Sequence, residues 1–575
     1  MMHSFSWTFR CFSLAFSAAL SLTSPLLGID RAAAQVNNCA DPYWQDTLRC
    51  AAFPTVPPQA NLNTQPTTPS QVKPFTRVFL NSNLDVRCLD GTRPIIYVDK
   101  AVCTDATNCT LGQPIESNKW IISMTGGGSC NAHDSNGDGV YDDGQSCLKN
   151  YADPNERDEM GTALEPPMKA LQGINRANPS QNSTFAAYNR VLVEKCSYDR
   201  YNGRVAYEAV GGYFSETTPT GAIVNFNLYQ QGYPIMEEAF AALQNGLTYT
   251  TWSVSGTGGS ARVVQANELL PPLADAEQVL FVGHSGAAHG LYHNIDHLSA
   301  TLAAMPGFAG DVRAVFDANF TESIENEAAF VADANGNLLG DAYSNIWSGE
   351  TTGSGVPFIY DGATHHTAGP FSEQYNSWNL AFDASCLAAH AATGDDWKCR
   401  DRMHVLFNHI ATPFFIREDF SDPNQEHTGG GTGHPVVWAD ESDWASFAHC
   451  PPDHNPCPPV FSVPDEHRPR VTQQFQILLD GSLSRSELAT GADPSLNSIG
   501  LFPTWFAWMP NCGVHNGAYA DTSFFDTTMT YLTYTHSMQL FLRDFVSVGR
   551  TDLRGWYVDG WNDGAGNVMT TTTCQ

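Results

Sequence analysis

The first chemistry visible in this sequence is a serine on a sharp turn. The stretch "VLFVGHSGAAHGLYHNIDHL" (279–298) opens as an apolar, β-branched run, bends at Gly283-His284-Ser285-Gly286-Ala287, and continues with helical periodicity. A strand-to-helix turn of the form G-x-S-x-G holds the serine hydroxyl exposed above the end of a sheet. The fifth position here is Ala287 rather than glycine. A small residue suffices there, because the requirement is close packing of helix on strand. Taken alone, the turn leaves Ser285 open between a nucleophile and an ordinary serine in a glycine-rich bend.

Two further stretches offer partners. "TGGGSC" (125–130) ends the apolar run "KWIISM". Three glycines after a strand let backbone N–H groups point into a pocket, as an oxyanion site requires; a plain glycine turn is the simpler reading. "PNCGVHNG" places His515 in a small-residue loop late in the chain. Hydrolases with this turn carry nucleophile, acid and histidine in that chain order. An acid is therefore wanted between 285 and 515, just after a strand, and "TPFFIREDFSDPNQ" offers Glu418, Asp419 and Asp422. The histidine would take the serine's proton, and the acid would fix the imidazole tautomer and stabilise its cation. That chemistry needs no metal or organic cofactor.

Metal chemistry has two candidates. His289, His293 and His297 fall four apart on one face of the predicted helix, and histidines at that spacing can share a zinc ion. No glutamate stands in the HExxH position, so an ordinary polar helix face is the competing reading. "HDSNGDGVYDDGQSC" is the stronger signal. Asp134, Asn136 and Asp138 occupy positions 1, 3 and 5 of an EF-hand-like loop, Gly139 takes position 6, Val140 offers its carbonyl at 7, and Asp142 falls at 9. Gln145 at position 12 replaces the usual bidentate glutamate. A structural calcium ion is the expectation, with a solvated acidic turn as the alternative.

These groups need a scaffold. Short apolar runs that read as strands lie near 76 ("TRVFLN"), 94 ("PIIYVD"), 119 ("KWIISM"), 190 ("RVLVEK"), 278 ("QVLFVG"), 312 ("VRAVFD") and 413 ("PFFIRE"). Helical patterns fall between several of them, notably 287–305 and 471–483. Strands alternating with helices predict an α/β sandwich with a mostly parallel central sheet and helices on both faces. Residues 76–575 read as one large domain with loop insertions near 330–375 and 427–470, preceded by an extended leader at 35–75.

Residues 1–34 read as a signal peptide. Arg10 supplies the basic start, 11–29 is mostly apolar, and Ala32-Ala33-Ala34 suits cleavage before Gln35. An uncleaved anchor is the alternative. No comparable apolar run follows, so no membrane span is expected, and the predicted location is extracellular or periplasmic. The net charge of −31, one unit more negative after loss of Arg10, Asp30 and Arg31, excludes nucleic acid and anionic membranes as natural partners. Of the 15 cysteines, only Cys11 leaves with the signal peptide. An even number remains, which reads as a disulfide framework in an exported chain. Cys130–Cys147, Cys386–Cys399 and Cys450–Cys457 are plausible neighbours to pair. Asn108, Asn182 and Asn319 head glycosylation sequons.

With these residues in view, the sequence resembles the pectin acetylesterase family, which includes the Notum-type carboxylesterases. "GGGSC" is similar to the family's GGGWC, "GHSGAA" to its GCSAGG turn, "SDPNQ" (421–425) to its YDxxQ, and "NCGVH" to its CxxHC. The resemblance runs from about residue 90 to 545. It implies an α/β-hydrolase-like fold with Ser285 as nucleophile, His515 as general base and Asp422 as orienting acid. Asp422 is chosen over Asp419 because Gln425 keeps the spacing. The resemblance also implies an oxyanion hole from the backbone N–H groups of Gly128, Ser129 and Gly286, and a supporting role for Asp317. Three departures bear on the substrate: Ser129 replaces the family's tryptophan, Ala287-Ala288 replaces Gly-Gly, and Asn516 replaces the cysteine after the histidine.

The reading that follows is a secreted serine carboxylesterase acting on acetyl esters, with an acetylated polysaccharide as the substrate class. A fatty-acyl deacylase of the Notum type is the second reading. A calcium-binding extracellular protein without activity is the third.

Overall fold

The computed structural model describes residues 66, 68–80, 85–130, 132, 147–148, 150, 160–162, 165–209, 212–217, 223–256, 260–318, 378–380, 382–391, 399, 405–406, 409–419, 505–510, 512, 517–531, 534–547, 554–558 and 570–573. The residues of the expected leader before 66, the calcium loop 134–142, Asn319, both expected insertions, the expected helix at 471–483, Asp422, Cys450, Cys457 and His515 lie outside them.

Ten strands form the central sheet: β1 (Phe75–Phe79), β2 (Ile95–Asp99), β3 (Lys119–Met124), β4 (Met168–Lys169), β5 (Asn189–Val193), β6 (Gln278–His284), β7 (Asp311–Asp317), β8 (Phe414–Arg417), β9 (Trp505–Met509) and β10 (Arg554–Val558). Their order across the sheet is β10-β9-β8-β7-β6-β3-β5-β2-β1-β4. From β10 to β5 every neighbouring pair is parallel. At the other flank β5, β2, β1 and β4 pair antiparallel. All seven strands expected from the sequence are present in this sheet.

Period-2 alternation sends side chains to both faces, and both are covered. On one face Ile122, Phe281, Phe316 and Ile416 pack with Phe240, Leu291 and Tyr292. Those partners come from helices α1 (Gly232–Leu243) and α2 (Gly286–Ala303). On the other face Ile121, Leu280, Val282 and Phe415 pack with Phe524, Phe541 and Phe545. α3 (Ala384–His390) precedes β8, and α4 (Asp521–Asp526) and α5 (Met538–Ser547) supply the second face. α2 buries Ala287, Ala288, Leu291, Tyr292, Ile295, Leu298 and Leu302, a stripe at helical spacing. Ala287 and Ala288 are 1% and 0% exposed, so the small residues after the turn are what let α2 lie against the sheet. Each large apolar side chain buried in this way contributes about 1.5–3 kcal/mol. The architecture is the α/β-hydrolase-like sandwich that the sequence predicts.

Disulfides join Cys88–Cys196, Cys103–Cys109, Cys130–Cys147 and Cys386–Cys399. Two of these were expected. Among the described residues no helix is long and apolar enough to cross a membrane. Asn182, which heads one of the three sequons, is not presented at the surface. Its side chain is fully buried and donates to the carbonyls of Ile174 and Arg176, leaving no room for a glycan.

Candidate active site

β6 ends at the centre of the sheet, and all seven of its residues are buried. The chain then turns at Ser285, whose φ of 50° and ψ of −122° lie in a region that non-glycine residues avoid. Strained backbone of this kind persists only where the surroundings impose it. One source is the Ser285 N–H, which donates to the Asp317 carbonyl at 2.8 Å on the neighbouring strand β7. Another is the glycine loop after β3. A Cβ at Gly126 would stand 2.5 Å from the His284 carbonyl oxygen and 2.6 Å from Ser285 Cβ, and one at Gly286 would stand 2.5 Å from the Gly127 carbonyl oxygen. The two expected halves of the site, "TGGGSC" and "GHSGA", are therefore in direct contact, with Gly128 and Ser129 following immediately. Ser129 is buried and bridges to Asp199.

A third segment closes the same region, and the sequence reading passed over it. Residues 197–202 follow Cys196, and Tyr198, Arg200 and Tyr201 all have positive φ (52°, 55° and 61°). Asp199 holds this loop: Oδ1 accepts from Ser197 Oγ at 2.6 Å and from the Tyr201 N–H at 3.0 Å, and Oδ2 accepts from the Gly232 N–H at 2.7 Å. Burial pushes the Asp199 carboxyl above the usual range, against the pull of these hydrogen bonds. The legible signal was the aspartate two residues after Ser197 and six after the end of β5, a pattern suited to side chain–backbone turns.

Three strand ends meet behind the serine. His284 Nδ1 lies 2.9 Å from Asp317 Oδ2, and Arg417 Nη1 lies 3.6 Å from Asp317 Oδ1. Asp419, two residues past β8, accepts the Cys512 N–H at 2.8 Å. Cys512 follows β9 by three residues and is itself disulfide-bonded. In the sequence Asp422 follows β8 by five residues and His515 follows β9 by six. The two residues themselves are outside the described set.

The expected histidine face divides. His289 and His293 are buried with ring centroids 5.0 Å apart, and the Asn202 amide lies 3.2 Å from His289 Nδ1. His297 is exposed and packs against the Tyr233 ring instead. Among the described residues the one grouping of three metal-capable side chains is Cys386, His390 and His409. Cys386 spends its sulfur on Cys399, so this set lacks the thiolate that would make it a metal site.

Residues 68–288 match the family model described as Pectinacetylesterase. The matched span holds the glycine loop and the serine turn, while the Asp422 and His515 motifs lie beyond it. No curated protein matches the sequence. Two solved structures of the Wnt deacylase Notum from Drosophila are similar, each at 16% identity. One covers 77% of this chain and 87% of its own with a TM-score of 0.41; the other covers 84% and 98% with a TM-score of 0.43. Over residues 68–288 the resemblance to the pectin acetylesterase family, read first from the motifs, is borne out, and it points to hydrolysis of an ester.

Proposed function

We propose that this chain is a secreted serine carboxylesterase that removes acetyl groups from a polysaccharide-type substrate. The observation that carries the reading is the strained Ser285 turn at the end of the central parallel strand, with a glycine loop packed against it. Ser285 Oγ attacks the ester carbonyl carbon while His515 takes its proton. The tetrahedral oxyanion is held by the N–H groups of Gly128, Ser129 and Gly286. Collapse breaks the bond to the alcohol, which leaves with the proton returned by His515. Water, deprotonated by the same histidine, then frees acetate from the acyl-enzyme. Asp422 holds the imidazole throughout. Calcium at Asp134, Asn136, Asp138, Val140 and Asp142 would order the rim next to Cys130. The expected signal peptide and the disulfides among the described residues support an oxidising, exported setting.

The test is turnover of 4-nitrophenyl esters of increasing chain length by the wild type and by Ser285→Ala. Short-chain preference and a dead but folded Ser285→Ala protein support the reading. A long-chain preference transfers the protein to fatty-acyl deacylation, and undiminished turnover in the variant removes Ser285 as nucleophile.

A further inference from the structure

Behind the serine turn runs a buried polar chain that no step of ester hydrolysis uses. His284, Asp317 and Arg417 occupy one register row across β6, β7 and β8, His284 opposite Asp317 and Asp317 opposite Arg417. Their side chains connect in order. His284 Nδ1 is 2.9 Å from Asp317 Oδ2, Arg417 Nη1 is 3.6 Å from Asp317 Oδ1, and Arg417 Nη2 is 3.5 Å from Asp419 Oδ2. None of the four is more than 2% exposed.

Burying charge at this density is costly, and an apolar replacement of similar volume is often as stable. Stability alone is therefore a weak reason for the chain to be there. Its backbone partners suggest another. Asp419 Oδ1 accepts the Cys512 N–H at 2.8 Å, and Asp317 Oδ2 accepts the Ala518 N–H at 3.0 Å. Cys512 and Ala518 stand three residues before and three after His515. Between these two anchors the Arg417 guanidinium lies against Gly517, where a Cβ would fall 2.3 Å from Arg417 Cζ. Asp317 also holds the other catalytic partner, since its carbonyl accepts the Ser285 N–H at 2.8 Å. One residue is thus bonded to the nucleophile through its backbone and to the histidine loop through its carboxylate.

We infer that His284, Asp317, Arg417 and Asp419 are positioning residues that set the His515 loop relative to Ser285. The inference rests on the proposed roles of Ser285 and His515. Asp317 is the shared reference point. Its carboxylate can only accept, so His284 must present Nδ1–H to it. The chain touches no substrate and acts through the distance between base and nucleophile, where a misplacement of about 1 Å can cost about a hundredfold in rate.

Two variants perturb it differently. Asp419→Asn keeps an acceptor for the Cys512 N–H and removes the ion pair with Arg417. Gly517→Ala removes no polar group and displaces the guanidinium by contact. Both are compared with wild type in kcat and KM for 4-nitrophenyl acetate, in the rate of phosphonate labelling at Ser285, and in melting temperature. The expected result is a kcat lowered about ten- to a hundredfold with KM within about twofold, and slower labelling in proportion, at a temperature where both remain folded. Rates equal to wild type after correction for folded fraction overturn the inference. So does a loss confined to KM. Ser285→Ala run alongside separates the two levels. If it keeps turnover, the triad reading fails; if it is dead while both variants run at wild-type rate, only the positioning role fails.

Discussion

Gly126 is the position where a single methyl group should disable the site. Its Cβ would stand 2.6 Å from Ser285 Cβ and 2.5 Å from the His284 carbonyl oxygen. Carbon atoms in contact sit about 3.5–4.0 Å apart, so the shortfall is about 1 Å. Neither neighbour can yield by rotating a side chain, since one is backbone and the other is the first atom of the Ser285 side chain. The serine turn or the glycine loop must therefore move by a comparable distance. Displacement on that scale at a reacting centre costs about a hundredfold in rate, while overpacking costs about 1–3 kcal/mol in stability. Gly126→Ala should thus retain its fold and lose about two orders of magnitude in kcat. The assay is 4-nitrophenyl acetate hydrolysis at fixed folded fraction, with phosphonate titration of Ser285 to count competent sites. Gly307→Ala serves as control, because that glycine has a φ of 95° and a Cβ there would meet only the Ala274 carbonyl at 3.9 Å. It should lose some stability and no activity. Near-normal kcat in Gly126→Ala would refute the idea that the glycine loop fixes the nucleophile.

Asp422→Asn should lower kcat about 10⁴-fold through loss of the imidazole tautomer, and Asp419→Asn by far less. The reverse order in the same kinetic assay would make Asp419 the orienting acid. Calcium should raise the melting temperature and EDTA lower it, the stabilisation by the bound ion reaching about 2.7 kcal/mol at a hundredfold excess over Kd. Asp134→Ala combined with Asp138→Ala should erase the response, and identical melts in calcium and EDTA would leave only an acidic turn. Burial, together with the charge of Glu165, lifts the Glu194 carboxyl to about 7 against the pull of Lys169. The folded value exceeds the unfolded one of about 4.3. The stability it contributes is therefore complete below about pH 4.3 and lost as pH rises through about 7. Melting curves of Glu194→Gln should lose that decline, and an unchanged decline would assign it to other groups.

Local chemistry was readable where it repeats a local rule. "KWIISM" and "QVLFVG" are continuous apolar runs because both faces of their strands are covered, and Gly-His-Ser-Gly-Ala declares its turn by composition. β9, "WFAWM", satisfies the same rule and was passed over beside the histidine loop that follows it. α5 was missed although Met538, Phe541, Leu542, Phe545 and Val546 form a regular apolar stripe. The polar chain behind Ser285 belongs to a different category. His284, Asp317 and Arg417 are neighbours only through the register of three parallel strands. No local pattern in one strand fixes its register against another so far away in the chain. The loop at 197–202 was hidden for a similar reason, since Asp199 finds Gly232 across the start of α1. For Asp422, His515 and the acidic loop at 134–142, the motifs remain the source of the assignment.

The order of the sheet also dictates when the Ser285 turn can take its shape. β6 lies between β3 and β7, and its pairing sets Gln278 opposite Lys119. The Ser285 turn is pressed into shape by the loop after β3 and by the Asp317 carbonyl, contacts that no short segment can make alone. Pairings this remote must overcome the entropy of closing a long loop before they return any energy, and they form slowly. A nascent or translocating chain that has emerged only as far as residue 300 has no β7 to hold the serine. The geometry of the Ser285 turn should therefore arise late, after β7 has docked beside β6.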